Sequence, residues 1–347
     1  MSKVTSIAVL GAGLIGRRHI EQVALAPEAS LYAVVDPSPI GKQIAEQYRT
    51  RWYPDFAAMM KEGRPDGVMI ATPNQLHVEN GLEAIAAGMP SLIEKPLADD
   101  IAGAKKLVDA ADKAGVPILT GHHRRHNPMI QNAKEIVESG KLGKLVTVHA
   151  FFWLMKPSDY FEPAWRRRAG AGPMLLNFIH DIDLLRYLCG EVEMVQAFQS
   201  NAVRGYPVDE TTVVNVKFKS GLLGTVNVTD TAVAPWSWEQ TTGENPAYPH
   251  TDQTCYFIGG TRGSLSIPRL EFWTNEDKLS WWEPFVVQRT VAPKQDPLLL
   301  QVQQFCRVIR GEEKPLVSGY EGMMTLKCAV AVQKAAATGQ TVRIGDL

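Results

Sequence analysis

Over the first 120 residues, short apolar runs alternate with stretches whose apolar positions recur every three to four residues. The runs Ile7–Leu10, Leu31–Val35, Val68–Ala71, Leu92–Glu94 and Pro117–Thr120 carry almost no alternation of polar and apolar side chains. That is the pattern of strands buried on both faces. The stretches near 14–26, 39–48, 76–87 and 99–114 have helical periodicity, and Gly88 and Gly115 stand where helix C-caps are expected. Strands alternating with helices predict an α/β arrangement, a doubly wound parallel sheet covered on both faces.

The pattern changes after Gly121. A helix is predicted over 127–139, a strand over Leu145–Phe152, then a loop rich in Pro and Arg and a helix over 173–188. Strands follow at Val192–Phe198, Val213–Phe218, Leu222–Val228, Cys255–Ile258, Ser264–Ile267 and Leu270–Trp273. Their joints Ser220-Gly221, Gly259-Gly260 and Arg262-Gly263 are turn signals, so these strands read as antiparallel. Helices near 296–310 and 320–337 and a short strand Thr341–Ile344 finish the chain. The expected organisation is a first domain over 1–121 and a second, α+β domain over 122–347 built on a large, mainly antiparallel open sheet. Tryptophan usage agrees: of 8 Trp, only Trp52 precedes residue 150.

A length of 347 residues also suits about two domains. A net charge of −1 argues against a surface built to neutralise a nucleic-acid backbone or anionic lipid. The four cysteines, Cys189, Cys255, Cys306 and Cys328, form no CxxC pair and read as buried thiols of a reducing compartment. No secretory leader pattern opens the sequence, and no apolar run approaches the roughly 18 residues of a membrane span. A cytoplasmic protein without nucleic-acid or membrane partners is the expectation.

The first strand runs into Gly11-Ala12-Gly13-Leu14-Ile15-Gly16 and then a helix, which is GxGxxG in its required strand–turn–helix context. Gly11 permits the tight turn, Gly13 lets a pyrophosphate approach the backbone, and Gly16 lets the helix pack closely on the sheet. Free N–H groups, those of Leu14 and Ile15 included, and the positive helix end hold the phosphates. Asp36 ends the second strand, placed to accept hydrogen bonds from the adenosine ribose. A carboxylate there repels a 2′-phosphate, so NAD is expected over NADP, with Lys42 and Arg49 the cations able to relax the preference. The fold implied is a Rossmann domain.

Further segments resemble the Gfo/Idh/MocA oxidoreductases, named for glucose–fructose oxidoreductase and inositol dehydrogenase. The marks are Ala71-Thr72-Pro73-Asn74 followed by His77, then Glu94-Lys95-Pro96 at a strand end. The resemblance implies that Thr72, Asn74, His77 and Glu94 line the NAD site and that Lys95 reaches the reacting carbon. Gly121-His122-His123-Arg124-Arg125-His126 resembles the family's crossing segment, with His123 placed beside the substrate. His122 and His126 have i,i+4 spacing, but no acidic third ligand stands in the segment, so no metal is expected. Trp165-Arg166 resembles a pair that closes over the cofactor. The arginines 124, 125, 167 and 168 fit either an anionic substrate or structural ion pairs. The stretch 170–183 resembles the family's second signature, and His180 matches its His. The signature's Asp falls on Leu176, and the neighbouring Asn177 binds a hydroxyl but takes no proton.

Alcohol oxidation needs a proton acceptor besides the hydride acceptor. His180, with an imidazole pKa of about 6.5, is the best neutral base, with Lys95 positioning the hydroxyl. Lys95, His123, Asn177, His180, Trp236 and Trp238 are therefore the expected substrate residues, the tryptophans suiting the C–H face of a sugar ring. The loop carrying those tryptophans fits an oligomer interface equally well, and a homodimer or homotetramer is expected. The function implied is NAD-dependent hydride transfer to or from a sugar, polyol or related compound. Dehydrogenation of another small, anionic hydroxy compound and a non-catalytic NAD-binding regulator are the competing readings.

Overall fold

The computed structural model describes residues 4–168 and 170–347, so Met1–Lys3, part of the stretch read above for a leader, lie outside the described residues. By contact the chain divides into two compact units, one of residues 1–127 with 295–326 and one of 128–294 with 327–347. The units are thus not contiguous in sequence, whereas the apolar pattern places a single break at 121. The cause is the helix Pro297–Ile309, whose Val302, Phe305, Cys306 and Val308 enter the same core as Ile7, Val9, Ile20, Val34 and Met69. Burying that stripe outweighs chain order.

The first unit holds six strands, β1 (Thr5–Leu10), β2 (Ala29–Val35), β3 (Arg51–Tyr53), β4 (Gly67–Ile70), β5 (Ser91–Ile93) and β6 (Ile118–Thr120). They pair in the order β3-β2-β1-β4-β5-β6, every pair parallel. The winding reverses between β1 and β4, and ligands of such sheets bind at the carboxyl ends of the strands at that point. Strand β3 and the helix Phe56–Glu62 behind it lack a sequence signal, because β3 is a three-residue edge strand with polar Arg51. Two of the helices start where a side chain satisfies one of their first N–H groups: Asp55 accepts from Ala58 (2.7 Å) and Asp100 from Gly103 (2.6 Å). Gly115, with φ +64, ends the helix Ile101–Ala114 as expected.

The second unit is built on nine strands, β7 (Leu145–Trp153), β8 (Val192–Ser200), β9 (Thr211–Phe218), β10 (Leu223–Thr229), β11 (Tyr256–Gly260), β12 (Ser264–Ile267), β13 (Glu271–Asn275), β14 (Phe285–Arg289) and β15 (Val342–Arg343). Their order is β14-β13-β12-β11-β7-β10-β9-β8-β15, antiparallel except for the parallel pair β7–β10. Alternation along β9 and β10 buries one face and leaves the other open. Leu223, Phe257 and Trp273 remain exposed. The helix expected over 173–188 is broken: Pro173–Leu176 makes one turn, Asn177 interrupts it, and Phe178–Cys189 continues on the covered face of β7. All four cysteines are buried, and none is joined in a disulfide. Among the described residues no helix is long and apolar enough to cross a membrane.

Candidate active site

The glycine turn is shaped by close approach. Gly11 has φ +90, and a Cβ there would meet the Ala71 carbonyl oxygen at 2.4 Å; a Cβ on Gly16 would meet the Gly11 oxygen at 2.0 Å. Gly13 differs, since a Cβ there would meet nothing within 4 Å. Gly13 is also the N-cap of the helix Leu14–Leu25 and offers no side-chain cap. Among the described residues no side chain accepts from the first N–H groups of that helix, which lie beside the open position at Gly13, and this fits a diphosphate. Leu14 is 85% exposed at the mouth, and Ile15 is half-buried. Asp36 braces the cradle: Oδ2 accepts from the Ala12 N–H (2.7 Å), and Oδ1 from the Ser38 N–H (2.8 Å) and hydroxyl. One lone-pair direction on Oδ2 remains for a ribose hydroxyl. Lys42 lies over the Trp52 ring at 6.0 Å.

At the end of β5 the Glu94 carboxylate is buried and accepts from His19 Nε2 (2.7 Å) and from the Lys95 N–H (3.1 Å). Burial pushes Glu94 up, but the His19 hydrogen bond and the charges of His19, Lys95 and His123 outweigh it and hold the carboxyl at about 2. Gly121 belongs to this pair, because a Cβ on it would lie 2.7 Å from Glu94 Oε1. Lys95 itself is half-buried. His77 is fully buried, with Nδ1 against the Pro96 oxygen (2.8 Å) and Nε2 against the Thr72 oxygen (3.0 Å). Rather than presenting its ring to a ligand, as the resemblance implies, His77 ties the Thr72–Asn74 turn to the segment after Lys95. Thr72 Oγ1 donates to Asn80 (3.0 Å), and Asn74 is exposed. Sequence reasoning missed His19. The available signal was its place three residues after Gly16, on the helix face that must pack against the sheet.

The crossing segment forms a tight turn over His123–His126, so His122 and His126 are not one helical turn apart. His126 is given to Gln304 (2.8 Å), and burial holds its imidazole down at about 4. Arg125 is buried and paired with Glu321 at 2.9 Å, the structural role rather than an anion site. His123 is half-buried.

In the second unit Asn177 and His180 share the break in the helix, the His180 N–H donating to the Asn177 carbonyl at 3.0 Å. Asn177 Oδ1 accepts from Lys156 Nζ (3.2 Å), a residue the sequence reading missed because a lone lysine in a loop carries no motif. Trp165 is exposed, and the Arg166 guanidinium stacks on Tyr160 at 4.0 Å. The two other tryptophans do not join this cluster. Trp238 is core, 1% exposed against Tyr256, because it opens the short helix Trp238–Thr242 instead of a loop. Trp236 lies with Phe151 and Trp153 on the open sheet face, in a cavity of about 650 Å³, whereas His180 sits on the helix covering the other face.

Comparison with known proteins agrees with this geometry. Residues 5–122 match the model of the oxidoreductase family with NAD-binding Rossmann fold, and 130–266 match the GFO/IDH/MocA C-terminal domain. The chain is 26% identical to a myo-inositol 2-dehydrogenase of Thermotoga maritima over 98% of its own length and 99% of the relative's. It is 27% identical to a 1,5-anhydro-D-fructose reductase of Ensifer adhaerens, over 80% of each. A scyllo-inositol dehydrogenase from Lactobacillus casei, solved with NAD(H) and scyllo-inositol, has the same fold, with TM-score 0.80 and 21% identity over 99% of this chain and 100% of that one. With its glycine cradle, its acidic strand end and both halves matched, the chain belongs to the GFO/IDH/MocA family of NAD-binding oxidoreductases.

Proposed function

We propose that the protein oxidises a secondary hydroxyl of a sugar, polyol or sugar derivative, or reduces the corresponding carbonyl, with Lys95 and His180 handling the proton. The observation that carries the reading is Lys95 at the carboxyl end of β5, half-buried and fixed through its own N–H by a carboxylate held ionised. Bound NAD supplies the hydride acceptor. The Gly11–Gly16 turn holds the diphosphate, with Gly13, Leu14 and Ile15 contributing backbone, and Asp36 takes the ribose. Thr72 and Asn74 form the wall of the cofactor site, His77 and Glu94 brace it, and Trp165 and Arg166 cover it. Lys95 donates a hydrogen bond to the substrate oxygen and stabilises its developing charge. His180 takes the hydroxyl proton, and His123 and Asn177 orient the substrate. In this reading residues 1–121 are the dinucleotide-binding region and 122–347 the substrate-binding and oligomerisation region.

The relatives named for inositol and anhydrofructose support the substrate class. The open sheet face with Trp236, Phe257 and Trp273 supports a homodimer or homotetramer, and four buried thiols, none in a disulfide, support a cytoplasmic location. The test is NADH absorbance on mixing protein and NAD with a panel of sugars, polyols and sugar acids. Turnover should fall about 10²- to 10⁴-fold in Lys95→Ala and in His180→Ala while NAD still binds. Silence across the panel despite NAD binding favours a regulator instead, the reading that Leu176 in the acid's place invites.

A further inference from the structure

The helix that follows the glycine turn carries two adjacent arginines in different surroundings. Arg18 pairs with Glu21 (2.9 Å) and with Asp296 (3.0 Å), so both acids beside it are taken. Arg17, the fourth residue of the helix Leu14–Leu25, makes no ion pair among the described residues. Its side chain runs back toward the N-terminus of the helix, as long helical side chains do, and Nε donates to the Ala12 carbonyl oxygen at 3.2 Å. The guanidinium is thereby held against the glycine turn. Of its five N–H donors that bond uses one, and the donors on Nη1 and Nη2 have no acceptor among the described residues.

A cation in this place is unfavourable by itself. The helix has no acidic residue in its first turn, its N-terminus is the positive end of its dipole, and Arg17 and Arg18 add two like charges. Asp36, the acid of the turn, does not offset this. Its oxygens accept from Ala12 (2.7 Å) and from the Ser38 N–H (2.8 Å) and hydroxyl, and it forms no ion pair with Arg17. The space beside the turn is open, since a Cβ on Gly13 would meet nothing within 4 Å and Leu14 is exposed. The unpartnered guanidinium and the helix end therefore favour the same kind of group, several oxygen atoms bearing negative charge, and a phosphate meets a guanidinium fork with two of them. The cations that the sequence suggests for the ribose lie elsewhere. Lys42 stands over the Trp52 ring, and Arg49 lies past the far end of the helix Pro39–Gln47, about 14 Å long.

We propose that Arg17 binds a phosphate of the adenosine half of the dinucleotide, a contact that the glycine motif does not specify. The diphosphate of NAD and the 2′-phosphate of NADP share this chemistry. The proposal rests on the turn's holding a dinucleotide and not on the hydride-transfer reading. The test titrates NAD, ADP-ribose and NADP calorimetrically into wild type, Arg17→Gln and Arg17→Lys at about 0.05 M and about 0.5 M salt, between which the screening length changes roughly 3-fold. At the lower salt Arg17→Gln should weaken at least one of the three about 10-fold, and at the higher salt by clearly less. Arg17→Lys, which keeps the charge without the fork, should recover part of the loss. Without ligand, Arg17→Gln should melt no lower than wild type, because the cation opposes the helix dipole. Equal losses for all three ligands assign the contact to the diphosphate, and a loss confined to NADP assigns it to the 2′-phosphate. Undiminished binding of all three by Arg17→Gln, a loss equal at both salts, or a ligand-free variant melting well below wild type overturns the proposal. A wild type that binds none of the three removes the dinucleotide reading with it.

Discussion

Replacing His19 by leucine isolates the pair that fixes the strand end before Lys95. Glu94 is buried and held at about 2 against an ordinary 4.5, a gap worth about 3 kcal/mol to the folded state. His19→Leu removes the hydrogen bond and charge that do most of this and leaves the carboxylate in a site whose burial opposes it. Breaking a buried pair from one side costs roughly 3–5 kcal/mol, the same order. At about 2–4 °C per kcal/mol for a unit of this size, the melting temperature should fall by roughly 6–20 °C at neutral pH. Because the folded pKa is depressed, the contribution is complete above pH 4.5 and is lost as pH falls towards about 2. The gap between wild type and His19→Leu should therefore be widest at neutral pH and narrow as pH falls, because the stranded carboxyl of the variant takes up its proton at a higher pH than the paired one. Adding Glu94→Gln to His19→Leu should restore part of the loss, since no charge is then buried alone. The assay is thermal unfolding followed by circular dichroism across that pH range. A His19→Leu variant melting within about 1 °C of wild type at pH 7 refutes the account.

Other outcomes follow from the same geometry. Gly13→Val should keep the wild-type melting temperature, since a Cβ there meets no protein atom, yet lower NAD affinity at least about 100-fold in a fluorescence titration. Gly16→Ala should fail to give folded protein, because its Cβ meets a backbone oxygen at 2.0 Å. Asp36→Ala should cut NAD affinity and shrink the preference for NAD over NADP roughly 10- to 100-fold, read as the ratio of the two dissociation constants. Tyr256→Phe deletes a buried hydroxyl donated to Asp181 and should destabilise the second unit by about 1–3 kcal/mol in urea titration.

The parallel sheet was legible because β1, β2, β4, β5 and β6 are buried runs joined by amphipathic helices, and the glycine turn lies where the fold requires it. Strands β3 and β14 were not, since Arg51-Trp52-Tyr53 and Phe285–Arg289 are edge strands whose polar and apolar side chains follow no buried pattern. The return of 295–326 to the first unit is a long-range packing choice that no local pattern encodes. Side-chain roles divided along the same line. Residues fixed by backbone context, Gly11, Gly16 and Asp36, stand where the motif puts them. Trp238 resembled a ligand-facing aromatic and went to the core, and Trp236 went to the open sheet face, because aromatic composition does not say which surface a loop covers. His19 and Lys156 act through partners 75 and 74 residues away, Glu94 and Asp230, a pairing invisible before the chain folds.

Following an isotope shows whether hydride transfer depends on Lys95. The best substrate of the panel, deuterated at the carbon to be oxidised, is incubated with protein and NAD, and the nicotinamide is examined by mass spectrometry. One deuterium should appear on the reduced ring per turnover with wild type, and its rate of appearance should fall about 10²-fold or more with Lys95→Ala. Deuterium released to water with none on the ring, or equal transfer rates in the two proteins, would contradict the hydride-transfer reading.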